Sequence, residues 1–382
     1  MKVCLVAPVS GWRGGIHQYS AYLANSLAEK VAVEVVGYKR IFPLWLYPGE
    51  SKKLSGEIAL RDDIAVHPVL KYYSLWSAIR ATWLVRHGIR PDVVDVQWIA
   101  PQHGVVLIPL MWLVRHWAGT RVVLTVHNVL PHEPRLLDRL LSRWAFRLPH
   151  RLLVHAQAMK EELTASFGED PGRISVIPHG ICAESEIADS PRRARERLGI
   201  RQSQVVLFFG FVRPYKGLEP LIEAFAALGD RFDVALVIAG EWFSGLDECR
   251  RTIQGAGLGG RTYLFPRYIP YGEISLYFSA ADIVVQPYVR FAGQSGVTQT
   301  AYLHALPVVA TAVGGLPELV LHERTGLIVE PGNARALAEA LRVLLADPDK
   351  RREYGAAGRR LLETQLAWGK IADTLMEIYA AA

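Results

Sequence analysis

Residues 290–311 read RFAGQSGVTQTAYLHALPVVAT. The right half is an Ala- and Leu-rich helical pattern that leads into Leu-Pro-Val-Val-Ala-Thr, which predicts a helix followed by a buried strand. The left half, Gly-Gln-Ser-Gly-Val, predicts a loop that delivers backbone N–H groups to the start of that helix. Helix starts of this kind bind phosphate, yet the segment contains no acidic residue and no lysine. The stretch therefore predicts a phosphate site without a neighbouring carboxylate.

Short β-rich runs alternate with helical patterns along all 382 residues. Continuous apolar strands separated by helices are typical of parallel sheets that are covered on both faces. The charged segment 181–204 interrupts the alternation, so we predict an α/β protein with two doubly wound, Rossmann-like domains. The predicted strands are 3–7, 32–36, 93–96, 122–126, 152–154 and 174–177 in the first domain, and 205–209, 234–239, 263–265, 283–286, 308–310 and 326–329 in the second.

Composition narrows the protein class. With 51% hydrophobic and 21% charged residues, the chain is not a disordered protein. The formal net charge of +6 favours anionic partners, but it fits nucleotides, phospholipid surfaces and nucleic acid equally well. Three cysteines, far apart in the sequence, match no metal or redox spacing and favour a reducing, cytoplasmic location. The longest apolar run, 105–114, is about half the length of a membrane span.

Polar residues follow the strands of the first domain. Gly14 and Gly15 come after the first strand, where paired glycines let the backbone approach a charged or bulky group, although a plain tight turn is equally consistent. The stretch LTVHNVLPHE places His127 and Asn128 at the carboxyl end of a strand and His132 further on. A site residue and a structural histidine that caps a loop are both open readings of His127. A metal site that includes His132 is disfavoured, because the spacing is not the helical H-x-x-x-H.

The first strand of the second domain runs into FGFVRPYKG, residues 209–217. Arg213 and Lys216 at a strand-to-helix turn suit a diphosphate, because the cations neutralise it and the flanking glycines permit close approach. A solvated helix start is the alternative. Ligands of open parallel sheets lie outside the carboxyl ends of the strands, and the cleft between two such domains is the expected active site.

Together these residues resemble the GT4 family of retaining glycosyltransferases, which have the GT-B fold of two facing Rossmann-like domains. The resemblance covers nearly the whole chain. It comprises the early glycine pair, TVHN around His127, IPHG at 177–180, GFVRPYKG at 210–217, and the run from Ser295 to Gly332 that contains LPVVAT, GGLPE and TGLIVEPG. The resemblance implies an acceptor-binding domain at 1–182, a nucleotide-sugar-binding domain at 183–365, and a final helix at 366–382 that packs back on the first domain.

The family also implies roles for individual residues. The positions that match Arg213 and Lys216 bind the diphosphate of a nucleotide-diphosphate sugar, and the amides of 295–297, Ser295, Gly296 and Val297, support it. The histidine that matches His127 lies by the transferred sugar, and the loop of Gly14 and Gly15 closes over the phosphates. The family needs neither a metal nor a cofactor, since cations and helix starts stabilise the leaving group.

The sequence departs from the family at several positions. Many members carry two glutamates eight positions apart, and this chain has Ala292 and Thr300 there; Phe211 stands where a phosphate-binding arginine is common. We expect Arg213 to replace that arginine, and Gln294 or Thr300 to take over some contacts with donor hydroxyls. A catalytically silent partner subunit of the same fold, or an epimerase of nucleotide-diphosphate sugars, remains the alternative function.

The first domain is expected to bind the acceptor, a glycan or a lipid-linked molecule in cell-surface polysaccharide or glycoconjugate synthesis. Acceptor-side candidates are Gln97, Trp98, Asn128 and His132. The stretch 72–87 has aromatic residues at helical spacing with arginines between them, and 103–119 is apolar nearly all round. Such helices lie in a membrane interface or pack on the sheet. The first reading predicts a peripheral contact with the inner face of the membrane; nucleic acid is not expected as a partner.

Overall fold

The computed structural model describes residues 1–9, 15–40, 58–130, 135–180, 189–291 and 293–382, so the predictions for Gly14, His132 and Ala292 lie outside the described residues. The chain forms two compact units. One, here the N-terminal unit, comprises Met1–Cys182 and Gln365–Ala382, and the other, the C-terminal unit, comprises Ala183–Thr364. The sequence placed the corresponding boundaries after residues 182 and 365.

The N-terminal unit is built on a seven-stranded parallel sheet in the order β3-β2-β1-β4-β5-β6-β7. The strands are β1 Lys2–Val6, β2 Ala32–Arg40, β3 Ala65–Lys71, β4 Val93–Trp98, β5 Arg121–Val126, β6 Arg151–Val154 and β7 Ile174–Val176. The sequence missed β3, which lies at the edge of the sheet, contains Pro68 and buries only Leu70 fully. A proline without an N–H is tolerated at an edge, but it conceals the strand pattern.

Helices cover both faces of this sheet. On one face pack α1 Gly15–Ala28 and α14 Trp368–Ala381, which share a core with the inward residues of β1 and β2. On the opposite face pack α2 Leu75–Leu84, α3 Gly104–Leu113, α4 Leu136–Arg147 and α5 Gln157–Phe167. Single π-helical turns, Val85–Ile89 and Val114–Ala118, prolong α2 and α3. The last helix of the chain is thus part of the N-terminal unit.

The C-terminal unit has a six-stranded parallel sheet in the order β10-β9-β8-β11-β12-β13. All six strands were predicted. They are β8 Gln204–Phe209, β9 Val234–Ala239, β10 Thr262–Phe265, β11 Ile283–Gln286, β12 Val308–Thr311 and β13 Gly326–Val329. The helices are α6 Pro191–Leu198, α7 Leu218–Ala226, α8 Leu246–Gly255, α9 Tyr271–Ala280, α10 Gly296–Leu303, α11 Leu316–Leu319, α12 Ala334–Ala346 and α13 Pro348–Gln365.

The strand order reverses once in each sheet, between β1 and β4 in the N-terminal unit and between β8 and β11 in the C-terminal unit. In doubly wound sheets the crevice for a ligand opens at this reversal, outside the carboxyl ends of the strands. The predicted class of two parallel-sheet α/β domains is confirmed. Within the described part of the chain, no helix combines the length and the apolar character needed to span a membrane.

Candidate active site

Lys216 is the central cation of the C-terminal unit. It lies in the turn between β8 and α7, is only 9% exposed, and its Nζ donates a hydrogen bond to the Tyr288 hydroxyl at 3.0 Å. Tyr288 follows β11, the neighbour of β8, so the bond joins the two loops that flank the strand-order reversal. Among the described residues no carboxylate lies within ion-pair distance of Lys216. In general, a buried ammonium without a neighbouring carboxylate favours the binding of an anion.

A polar network holds Tyr288 and the start of α10 in place. Burial by itself raises the pKa of the Tyr288 hydroxyl, but the charge of Lys216 and hydrogen bonds with Lys216, Ser295 and Gln286 together bring that pKa below its usual value. Gln286, at the end of β11, donates through Nε2 to Ser295 Oγ at 2.7 Å and accepts from Thr298 Oγ1 at 2.5 Å. Both ends of the Gln286 amide are therefore used to fix the first turn of α10.

The start of α10 follows the loop after β11 that also contains Tyr288. The first amides of a helix have no acceptor within that helix. The Thr298 amide bonds the Ser295 carbonyl at 3.1 Å, and the Gly296 and Val297 amides have no backbone acceptor among the described residues. A Cβ added to Gly296 would meet no atom within 4 Å, so packing does not demand a glycine there. The Ser295 hydroxyl, by contrast, is buried and accepts from Gln286.

At two positions in the turn that follows β8, the backbone conformation requires glycine. Gly217 has φ +68°, and a Cβ there would lie 1.8 Å from the Pro287 carbonyl oxygen. Gly210 has φ +104°, and its carbonyl oxygen would lie 1.9 Å from a Cβ on Gly240. The backbone at Gly217 thus lies against that at Pro287, and the backbone at Gly210 lies against that at Gly240. A Cβ on Gly210 would also lie 3.4 Å from Lys216 Nζ. Only glycine fits here without strain.

Arg213 is exposed and is held by aromatic rings. Its guanidinium lies 4.2 Å from the centre of the Phe243 ring, and Phe211 packs edge-on against Phe243 with centroids 5.6 Å apart. A cation over an aromatic face is stabilised without losing its charge. Phe211 therefore supports the Phe243 ring, on which the Arg213 guanidinium lies. No ion pair involves Arg213 within the described ranges.

The two residues expected to contact donor hydroxyls differ in their bonding. Thr300 Oγ1 donates to the carbonyl of Gly296 in its own helix at 2.9 Å, so its hydroxyl proton is already used and only its lone pairs remain for a ligand. Gln294 is half-buried just before α10 and also has an interaction within the protein. Both roles therefore remain predictions.

In the N-terminal unit, His127 follows β5 and is tied to β4. Its Nε2 lies 2.9 Å from Gln97 Oε1, and its backbone amide donates to the Trp98 carbonyl at 3.0 Å. Burial, followed by the neighbouring His155 and His179, holds the pKa of His127 well below its usual value. The imidazole is thus neutral, and because the Gln97 oxygen accepts, the proton is on Nε2.

His127 belongs to a cluster of rings. Tyr19 of α1 lies with its ring centre 4.9 Å from His127, 5.0 Å from His155 and 4.7 Å from His179. These three histidines follow β5, β6 and β7, and Trp368 of α14 packs on Tyr19 at 5.1 Å. The last helix of the chain therefore closes one side of the cluster.

The sequence reasoning missed His155. It directly follows a predicted strand, just as His127 does, and that position was the available signal. Its Nδ1 donates to the Ile177 carbonyl at 3.1 Å, and burial lowers the pKa of His155 to about 3. Its buried Nε2 has no hydrogen-bond partner in the described part of the chain. Although three histidines meet here, no group of side chains suited to a metal ion occurs among the described residues.

A buried carboxylate lies beneath this cluster, on the same strand as Gln97. Asp95 of β4 accepts from Thr125 Oγ1 at 2.8 Å and from the Tyr379 hydroxyl of α14 at 2.6 Å. Burial raises the pKa of Asp95 to about 6 despite these two hydrogen bonds. The contact joins residues 284 positions apart and fixes the last helix to β4.

The structure separates the acceptor-side candidates. Gln97 is fully buried and contacts His127, and Trp98 is fully buried in the core, with its ring 5.8 Å from that of Phe146. Neither side chain has surface to offer an acceptor in this structure. Asn128 is exposed and donates to the Ile99 carbonyl at 3.2 Å. Gly15 begins α1, and a Cβ there would meet nothing within 4 Å.

The chain is similar to known proteins over most of its length. Residues 13–185 match the family model described as Glycosyltransferase Family 4, and residues 203–347 match the one described as Glycosyl transferases group 1. A D-inositol 3-phosphate glycosyltransferase of Pseudarthrobacter chlorophenolicus is 33% identical over 98% of this chain and 92% of its own length. An alpha-maltose-1-phosphate synthase of Mycolicibacterium smegmatis is 31% identical over 68% of this chain and 73% of its own.

Solved structures share the fold. HepE of Anabaena, in complex with UDP, superposes with a TM-score of 0.75 at 19% identity and with full coverage of both chains. Sucrose-phosphate synthase of Thermosynechococcus elongatus gives a TM-score of 0.76 at 20% identity, covering 100% of this chain and 98% of its own. This likeness over the whole chain confirms the predicted GT-B fold class. The chain is a glycosyltransferase and belongs to the group 1 glycosyl transferases of family 4.

Proposed function

We propose that the protein transfers a sugar from a nucleotide-diphosphate sugar to a glycan or lipid-linked acceptor, with retention of configuration and without a metal ion. The observation that carries this proposal is the Lys216 ammonium, buried, bonded to Tyr288 and without a carboxylate within ion-pair distance among the described residues. A diphosphate supplies the missing negative charge. Arg213 and the Gly296 and Val297 amides add further donors for it.

The described residues of the loop before α10 and of its first turn include no carboxylate. This is compatible with retention of the anomeric configuration. In the proposed step the bond between the anomeric carbon and the β-phosphate oxygen breaks, and the acceptor oxygen bonds to the anomeric carbon on the same face. The departing phosphate oxygen takes the proton of the acceptor hydroxyl, so no enzymic base is needed. Lys216 and the helix start stabilise the charge that develops on the diphosphate.

His127 serves this reaction as a neutral group. With its proton on Nε2 used by Gln97, the ring is fixed in orientation and does not titrate near neutral pH. We assign it, by the family's pattern, to the transferred sugar rather than to proton transfer. Gln97 is then a positioning residue for His127.

The names of the relatives extend the range of acceptors worth testing. One relative is called a D-inositol 3-phosphate glycosyltransferase and another an alpha-maltose-1-phosphate synthase, so phosphorylated polyols and sugar phosphates join the glycans and lipid-linked acceptors. We place the product in cell-surface polysaccharide or glycoconjugate synthesis, at the cytoplasmic face of the membrane. The exposed aromatic helices of the N-terminal unit support that location.

The test is a donor and acceptor screen in the presence of EDTA. UDP-, GDP- and ADP-sugars are incubated with each acceptor class, and the release of the nucleoside diphosphate is measured. The anomeric configuration of the product is then determined by NMR. We expect one donor class to react and the configuration to be retained. Inversion, or activity that requires an added divalent cation, would refute the mechanism. Donor binding without turnover on any acceptor would favour a silent partner subunit.

A further inference from the structure

The outer face of α2, α3 and α4 is unusual for a protein surface. These helices lie side by side on one face of the N-terminal sheet. Five of the chain's ten tryptophans project from them, with exposed fractions between 41% and 75%, namely Trp76, Trp83, Trp112, Trp117 and Trp144. Large exposed apolar groups that cluster in this way mark a surface that meets a partner.

Aliphatic side chains add to the exposed apolar surface of these helices. Ile79, Leu137 and Leu140 are between 41% and 62% exposed on the same helices. On α2 the exposed residues Trp76, Ile79 and Trp83 recur at helical spacing, while Ala78 and Ala81 face the core. Each helix thus packs one apolar side against the sheet and exposes a second apolar side to solvent. Packing within the unit explains the buried side but not the exposed one.

The charge on this surface is of one sign. Helices α2–α4 with their π-helical turns contain six arginines and one acid, Asp138. Asp138 is half-buried and accepts from the Arg135 amide at 2.9 Å, so it caps α4. Arg80, Arg139 and Arg143 are exposed and have no ion pair in the described ranges. The Arg86 guanidinium lies 5.0 Å from the centre of the Trp117 ring and donates a hydrogen bond to the Trp117 backbone carbonyl at 2.6 Å. These contacts join the ends of α2 and α3.

A cavity opens beside α4 on the same unit. It has a volume of about 210 Å³ and is lined mainly by Leu130, Leu136, Leu140, Phe167, Arg139 and Arg143. An apolar recess next to two guanidinium groups matches a phospholipid, in which an apolar chain is joined to an anionic headgroup. A flat protein partner has no need of such a recess.

We propose that this aromatic–basic surface of α2, α3 and α4 docks on an anionic lipid bilayer, with the tryptophans at the headgroup level and the arginines against lipid phosphates. Tryptophan prefers this boundary because its ring is apolar and its N–H is polar. Arginine extends its charged end to the headgroups while its stem remains in the apolar layer. A second copy of the chain fits less well, since a two-fold contact would bring arginines against arginines.

The experiment measures binding of the full chain to vesicles without donor or acceptor, so it is independent of the transferase proposal. Vesicles of phosphatidylcholine alone are compared with vesicles of equal parts phosphatidylcholine and phosphatidylglycerol, and the partition coefficient is obtained by flotation. We expect binding to the anionic vesicles that weakens as salt is raised. Brominated phosphatidylcholine in those vesicles is expected to quench the tryptophan fluorescence.

Two matched variants locate the surface. The triple variant R80Q/R139Q/R143Q should lower the partition coefficient by about tenfold or more, because each basic group near an anionic surface contributes severalfold. The control R251Q/R335Q/R360Q makes the same charge change on exposed arginines of the C-terminal unit and should bind as the wild type does. W76S/W83S/W144S, which leaves Trp112 and Trp117 in place, should lower the partition coefficient and reduce the quenching, while the melting temperature stays near that of the wild type.

Three results would overturn the proposal. One is equal loss of binding in the control and in the surface variant, which would indicate general charge attraction. Another is the absence of binding to anionic vesicles by the folded wild type. The third is sedimentation of the wild type as a dimer that the tryptophan variant dissociates, which would make this face an interface between copies.

Discussion

The two units follow one topological rule with opposite chemistry. Each places its polar residues just after strands of its parallel sheet, after β8 and β11 in the C-terminal unit and after β5, β6 and β7 in the N-terminal unit. In the C-terminal unit these residues surround a buried cation, Lys216, and fix it through Tyr288. In the N-terminal unit the corresponding groups are histidines that burial keeps neutral. The same type of parallel sheet therefore carries a buried cation in one unit and neutral histidines in the other.

The surfaces of the units differ as well. Of the sixteen exposed large hydrophobic side chains among the described residues, fourteen belong to the N-terminal unit, and only Phe243 and Val289 belong to the other. Phe243 already has a partner in Arg213. The proposed donor site thus lies in the unit with few exposed apolar side chains, and the proposed docking surface lies in the other unit. Variants in each unit should consequently affect different measurements.

The largest effect is expected from Lys216→Ala. Loss of the cation should lower kcat/KM by about 100- to 1000-fold, because it removes stabilisation of the leaving diphosphate. The matched control is Lys350→Ala in the same unit, which should retain activity. Initial rates with the best donor and acceptor decide. An active Lys216→Ala enzyme would show that the anion site lies elsewhere.

Gly217→Ala and Gly296→Ala compare a glycine required by packing with one that is not. The first places a Cβ 1.8 Å from the Pro287 oxygen at a φ of +68°, and should cost roughly 3 kcal/mol of unfolding free energy or more. The second meets open space, so stability should stay within about 0.5 kcal/mol while donor affinity falls. Chemical denaturation and donor titration measure the two effects. Equal stability losses would contradict the distinction.

Asp95→Asn tests the buried carboxylate of the N-terminal unit. The pKa of Asp95 is raised to about 6 in the fold from a usual value of 3.8, so its contribution to stability is complete below pH 3.8 and is lost as the pH rises through 6. Between those limits the wild type should lose about 1–3 kcal/mol relative to Asp95→Asn. The comparison requires unfolding free energies of both proteins at each pH. Parallel profiles would mean that Asp95 is already ionised in the fold.

Gln97→Glu should have the smallest effect. A carboxylate in place of the amide that accepts from His127 favours the protonated imidazole, so the pKa of His127 should rise. We expect kcat/KM to fall by about tenfold and to gain an acidic limb that the wild type lacks. A pH–rate profile provides this readout, which a packing defect would not produce. An unchanged profile would remove Gln97 from the positioning of His127.

Apolar strands separated by helices predicted most of the architecture, since buried parallel strands have a strong local pattern. Edge strand β3 was missed because Pro68 and exposed side chains disrupt that pattern. The glycines and cations of the β8 turn were also readable, because they follow a strand directly. The sequence showed the aromatic spacing of α2, but burial on the sheet remained an alternative, and the structure shows that Trp76 and Trp83 are exposed.

What could not be predicted depends on contacts between distant segments. Tyr288 and Gln286 gain their roles only when the loops after β8 and β11 adjoin. In the sequence Asp95 is an acidic residue within an apolar strand, with no indication of a partner. Its partner Tyr379 belongs to the last helix. Single-sequence patterns report periodicity along the chain and carry no information on which side chains meet across the sheet.

The most direct test of the account is calorimetric titration of the wild type and Lys216→Ala with UDP, GDP and ADP, and with the matching monophosphates, in EDTA. We predict that one diphosphate binds the wild type, that its monophosphate binds at least about tenfold more weakly, and that Lys216→Ala abolishes this preference. Equal affinity for the diphosphate and the monophosphate, or diphosphate binding that is unchanged in Lys216→Ala, would contradict the claim that the buried ammonium forms the diphosphate site.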